Sequence, residues 1–133
     1  MIYENVKVPK KHLIGKLNRG FIAIMKNFNH ERLTLAVSSN RYSRICISES
    51  IKYARKRKTF GKRLIDHQVI RHKIANMVRK VESTHAQLEN IFYQIKCGAN
   101  DKELGSSIAL IKVFATKTFE YCAREASVNF FLF

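Results

Sequence analysis

The sequence predicts an all-α chain: three long antiparallel helices, packed up-and-down, behind a short extended N-terminal segment. Three observations carry this expectation. Apolar residues recur at alternating steps of four and three over residues 69–95. Two further stretches, about 19–57 and about 101–127, repeat helical spacing. The links between the three are short, so neighbouring helices must reverse direction.

Taken in chain order, Ile2, Val6 and Val8 followed by Pro9 predict an extended strand, with a turn at Gly15. A lone strand leaves its backbone groups unpaired, so this segment is expected to belong to a sheet built elsewhere. Over 19–57, Phe21, Ile24, Met25, Phe28, Leu35, Tyr42 and Cys46 form the expected stripe, and Ala36, Ser39 and Ser43 would allow another helix to come close. In 69–95 the stripe is Ile70, Ile74, Met77, Val81, Thr84, Leu88, Ile91 and Ile95, with Arg71, Lys73, Arg79, Lys80 and Glu89 turned away from it. Asp66 is the expected N-cap and Gly98 the C′ stop. The third helix opens on a capping box, Asn100 with Glu103, and carries Ile108, Ile111, Ala115, Phe119, Cys122 and Ala126.

At 133 residues and 15.5 kDa the chain is one domain, able to bury roughly two-thirds of its unfolded surface if it folds alone. A hydrophobic share of 46% is that of a globular protein. The net charge of +15 implies an anionic partner or an acidic neighbouring segment. Cys46, Cys97 and Cys122 are odd in number and far apart, which argues for reduced thiols. The histidines form no H-x-x-x-H pair and no Cys/His cluster, so no metal site is expected. The N-terminus lacks the apolar core of a signal peptide and no run approaches a membrane span, so a soluble intracellular chain is expected, with its compartment open.

Residues 54–63, ARKRKTFGKR, hold six basic side chains in ten positions. Arg55, Lys56, Arg57 and Lys58 fall at the expected C-terminus of the first helix, where the helix dipole favours cations. Thr59-Phe60-Gly61 then breaks the helix, and Gly61 can take positive φ. Nucleic-acid binding would call for interleaved exposed aromatics or a reading motif, and neither is present. From charge alone the run is either a solvated helix end or a grip for a smaller anion.

Glu31 raises a different question. Ile24, Phe28 and Leu35 at minus seven, minus three and plus four set it on the apolar stripe. A carboxylate buried there must be protonated, paired with a cation from another helix, or at work as a base.

The stretch YARKRKTFGKRLIDHQVIRHKIANM (53–77) closely resembles the flavin-binding signature of acyl-CoA dehydrogenases. VKVPKKHLIGKLNRGFIAIMKNFNHERLTLA (6–36) resembles the stretch before it, including the E-R pair of the following helix, and AREAS (123–127) the end of the next helix. The resemblance implies flavoenzymes with a C-terminal four-helix bundle, which oxidise acyl-CoA thioesters to 2-enoyl-CoA and pass electrons to electron-transfer flavoprotein or oxygen, usually as homo-oligomers. On it, residues 1–15 are the last strand of a β domain and a linker, and 16–133 the C-terminal helical domain, truncated before its fourth helix.

Carried over by position, Arg57, Lys58 and Thr59 match the turn that touches the FAD of a neighbouring subunit. Phe60 matches an aromatic packed on that cofactor, and His67 with Gln68 a second FAD contact. Glu31 matches the base of the isovaleryl- and long-chain-type enzymes. Arg32 matches an arginine near the CoA portion, with Asn29 and His30 as flanking substrate contacts. Where the family continues with Q-I-F-G-G, this sequence has Ser127-Val128-Asn129 and four apolar residues. The resemblance therefore implies a fragment, inactive alone. The competing expectation is a non-enzymatic basic helical module that binds an anionic partner.

Overall fold

The computed structural model describes residues 1–131. Three helices make up most of it: α1 (Gly20–Lys56), α2 (Gln68–Lys96) and α3 (Asp101–Phe131). A single-turn 3-10 helix lies at Lys10–His12, and a hairpin of two-residue strands, β1 (Lys58–Thr59) and β2 (Lys62–Arg63), joins α1 to α2 through a second 3-10 turn, Leu64–Asp66. No helix among the described residues is long and apolar enough to cross a membrane.

The helices meet in two buried clusters. Near one end, Leu33 and Ala36 of α1 pack with Leu88 and Ile91 of α2 and with Leu104, Ile108, Ile111 and Ala115 of α3. Near the other, Ile47 of α1 packs with Met77 and Val81 of α2 and Cys122 of α3. Early α1 thus meets late α2 and early α3, so α2 runs antiparallel to both of its neighbours. Most polar groups inside this core have a local answer, though Asn40 Oδ1 and Ser50 Oγ are buried without a hydrogen bond among the described residues. Ser43 Oγ donates to Ser39 O at 2.8 Å; Thr84 Oγ1 donates to Lys80 O at 2.8 Å and reaches Thr118 Oγ1 at 3.4 Å.

Helix boundaries follow the sequence signals closely. Asn100 Oδ1 accepts the Glu103 N–H at 3.1 Å, and Glu103 Oε2 accepts the Asn100 N–H at 3.4 Å, closing the capping box. Gly98 follows the α2 C-cap at φ +88. The middle of the α2 stripe is also as expected, with Met77, Val81, Thr84, Leu88 and Ile91 buried, whereas Ile70 and Ile74 are half-buried and Ile95 is exposed.

Four expectations are corrected. First, Asp66 does not cap α2: His67 is the N-cap, without a side-chain cap bond, because Asp66 is engaged by Arg63 through two bonds of 3.0 and 3.2 Å. Second, residues 1–9 form no strand, and α3 runs to Phe131 rather than ending near 127. The terminal apolar residues Leu132 and Phe133 lie outside the described residues. Third, the large apolar stripe of α1 is not its buried face. Phe21, Ile24, Phe28, Leu35 and Tyr42 are exposed, while Ala36, Ser39, Ser43, Ile47, Ser50 and Ala54 are buried. Fourth, the surface is larger than that of a compact monomer. The chain exposes 10298 Å² against roughly 7,200 Å² for this mass, so it buries nearer to half than two-thirds of its unfolded surface.

Candidate functional site

The hairpin is shaped by its turn. Phe60 and Gly61, at φ +51 and +76, sit between the paired residues Thr59 and Lys62, the positive-φ pair that a type I′ turn requires. Leu64 N–H donates to Arg57 O at 2.8 Å and closes the loop onto the end of α1, with Leu64 itself buried. His67 anchors the other side. Its Nε2 lies 3.1 Å from Thr59 Oγ1 and 3.3 Å from Thr59 O, and since a carbonyl only accepts, that second contact is a bond when Nε2 carries the proton. Its carbonyl accepts the Ile70 and Arg71 N–H groups, starting α2. The Phe60 ring stands edge-on to the His67 ring at 6.3 Å.

These contacts put four of the expected residues around one groove. Thr59, Phe60, His67 and Gln68 line it together with Leu64, Val69, Ile70, Lys73 and Val128, enclosing about 450 Å³. Arg57 and Lys58 are exposed beside it at the base of the hairpin rather than in its lining. Val128 and Lys73 were not legible as site residues, because contact between α2 and α3 across more than fifty positions leaves no local pattern. Lys73 Nζ lies 2.9 Å from the half-buried Glu125 Oε2, an ion pair between these helices that is not aligned as a hydrogen bond. Arg63 holds the Asp66 carboxyl below the usual carboxylate range, chiefly by its hydrogen bonds.

The second group of expected residues is far away. Glu31 lies 26 positions before Arg57, about 39 Å along the helix at ~1.5 Å per residue. Glu31 is exposed, as is the stripe around it, so the burial expected for this carboxylate is not present. It has no ion pair among the described residues. Arg32 and Asn29 are half-buried and joined, Arg32 Nη1 donating to Asn29 Oδ1 at 3.1 Å. Asn29 Nδ2 would stand 3.7 Å from a Cβ placed on Gly105, an ordinary contact distance that brings Asn29 up against α3. His30 is exposed on the flank facing α2, in a shallow groove with Leu33, Thr34, Val37, Phe92 and Ile95.

A family model, that of the C-terminal domain of acyl-CoA dehydrogenases, matches residues 18–128. The chain belongs to the acyl-CoA dehydrogenase family. The acyl-CoA dehydrogenase AFT10-1 of Alternaria alternata is 38% identical over 129 residues, covering 93% of this chain and 30% of the relative. Subunit CarC of the caffeyl-CoA reductase–Etf complex of Acetobacterium woodii is 34% identical over 130 residues, covering 97% and 34%. The structure of a glutaryl-coenzyme A dehydrogenase in complex with glutaryl-CoA superposes with a TM-score of 0.78 at 29% identity, over 95% of this chain and 31% of that one. The chain spans about a third of the length of the acyl-CoA dehydrogenases it matches, and its helices are those of their C-terminal domain.

Proposed function

We propose that the chain serves as the C-terminal helical part of an FAD-dependent acyl-CoA dehydrogenase, with its two residue groups working in two different reaction centres of a homo-oligomer. The observation that carries this is the groove at the hairpin. Thr59, His67 and Gln68 bring a hydroxyl, an imidazole and an amide to a wall otherwise apolar (Leu64, Val69, Ile70), and Arg57 and Lys58 stand beside it. That donor set fits a dinucleotide. The apolar wall suits a flat ring, the hydroxyl and amide suit its polar edge, and a guanidinium can bond phosphate oxygens in pairs. Bound FAD would supply a hydride acceptor for the β-carbon of the substrate.

Glu31 then removes the α-proton of an acyl-CoA thioester. Its place among Phe28, Leu35 and Ile24 means that a body covering this face would desolvate the carboxylate and raise its basicity at the moment the site is assembled. Arg32, held by Asn29, is placed for an anionic portion of the CoA moiety. A spacing of about 39 Å along one helix is more than a single nucleotide cofactor spans, so hairpin and base serve separate centres. On this reading residues 1–15 continue a β domain, the product is a 2-enoyl-CoA, and the chain alone is inactive. The electron acceptor is an electron-transfer flavoprotein, in keeping with CarC being a subunit of a reductase–Etf complex, or oxygen.

The test is a chimera in which this chain replaces the matching third of the Alternaria enzyme. The chimera is expected to hold flavin and to be bleached anaerobically by acyl-CoA. Glu31→Gln should retain flavin but slow bleaching by about 10²–10⁴-fold, the usual weight of a general base. Bleaching at an unchanged rate would place the base elsewhere. Flavin retention unchanged by joint Arg57→Ala and Gln68→Ala substitution would remove the hairpin from the cofactor site. The basic-module reading would instead be favoured by steeply salt-dependent binding of random-sequence DNA to the unmodified chain.

A further inference from the structure

Two of the three cysteines reach one buried cluster, although 76 positions separate them. Cys122 of α3 is wholly buried in the second cluster with Ile47, Met77 and Val81, and Cys46 of α1 packs against that same cluster while remaining half-buried. Ser43, one turn before Cys46, is wholly buried on the same part of α1. Cys122 therefore sits as a knob against the α1 turn that holds Ser43, Cys46 and Ile47. The residues on this part of the interface are small on both helices: Ser39, Ser43 and Ser50 on α1, Ala115, Cys122 and Ala126 on α3, all buried. Small side chains permit the close backbone approach, about 4.4–6.8 Å between Cα atoms, that a disulfide demands.

We propose that Cys46 and Cys122 form an oxidisable pair that staples α1 to α3. The oxidant is a small peroxide, since Cys46 is open to solvent only in part and Cys122 not at all. Attack by the Cys46 sulfur breaks the O–O bond of hydrogen peroxide. One oxygen stays on Cys46 as sulfenic acid and the other leaves as water. The Cys122 sulfur then displaces that hydroxyl, its own proton departs with it as a second water, and the S–S bond is made. Burial pushes both thiols upward, Cys122 to about 11 with the nearby Cys46 adding to the effect. Few thiolates are present at neutral pH, so the reaction is slow and the pair stays reduced under a cell's ordinary thiol supply. Cys97 is exposed, distant from the cluster, and takes no part.

The experiment uses the chain itself with Cys97→Ser, treated with hydrogen peroxide. The expected result is a mass lower by about 2 Da, one proteolytic fragment holding both cysteines, reversal by dithiothreitol, and a melting temperature raised by several degrees in the oxidised form. Adding Cys122→Ala, or separately Cys46→Ser, should abolish the mass loss while leaving the fold intact by circular dichroism. Addition of about 16 or 32 Da at Cys46 with the Cys122 thiol still titratable after unfolding would overturn the proposal. Covalent dimers without the intramolecular link would do so as well.

Discussion

Phe60 shows what a single position in this chain is asked to tolerate. It is 97% exposed and holds φ +51, a region that suits Gly or Asn and is costly for a bulky side chain. Among the described residues its ring contact is the edge of His67, and so exposed a side chain gains little burial to offset the strain. Phe60→Asn, which keeps the turn and lifts the penalty, is expected to stabilise the chain by about 0.5–1 kcal/mol in urea unfolding. In the chimera the same substitution is expected to weaken flavin retention, because the ring is offered to a partner and not to its own core. Gly61 and its positive φ were legible in the sequence; the Phe60 conformation was not, since turn type depends on strand pairing that two-residue strands do not announce. The burial of Glu31 was misjudged for a related reason. Spacing shows that a residue shares a face with apolar neighbours, but not whether anything covers that face.

The helices differ in how plainly they could be read. In α2 one apolar stripe is set against a polar one, and its C-terminal stop and the centre of its buried face were legible, though its N-cap was not. In α1 two faces are eligible, one of large residues and one of Ala and Ser, and size pointed to the wrong one. The small face wins in the fold because α1 lies close against α3, where only short side chains fit. Adjacent positions offer a contrast. Ala36 is wholly buried, and Ala36→Leu should destabilise the chain by about 1–3 kcal/mol through overpacking. Leu35 is half-exposed, and Leu35→Gln should change stability by less than about 0.5 kcal/mol. Equal effects in thermal melts would contradict the assignment of the buried face. The hairpin groove was half-legible: four residues within ten positions could be grouped, but Val128 comes from α3 and only the fold brings it there.

For the molecule as a whole, the surface exceeds that of a compact monomer by roughly 3,000 Å², and large apolar side chains such as Phe21, Ile24, Phe28 and Leu110 are exposed on it. Such faces favour association, while a net charge of +15 opposes it. Salt should therefore decide between them. The screening length falls from about 10 Å at 0.1 M to 3 Å at 1 M, and sedimentation should show the average mass of the chain rising over that range. A constant or falling mass would mean that the apolar faces are not competent to pair.

The unbroken 37-residue run of α1 has a genetic consequence on the proposed reading. If each catalytic centre draws its base from one copy and its flavin clasp from another, a copy defective at Glu31 and a copy defective at Arg57 can rescue each other. Mixed dimers of the two would assemble one centre with both faults and one with neither. Two silent alleles, expressed together in the chimera, should thus regain activity that each lacks alone.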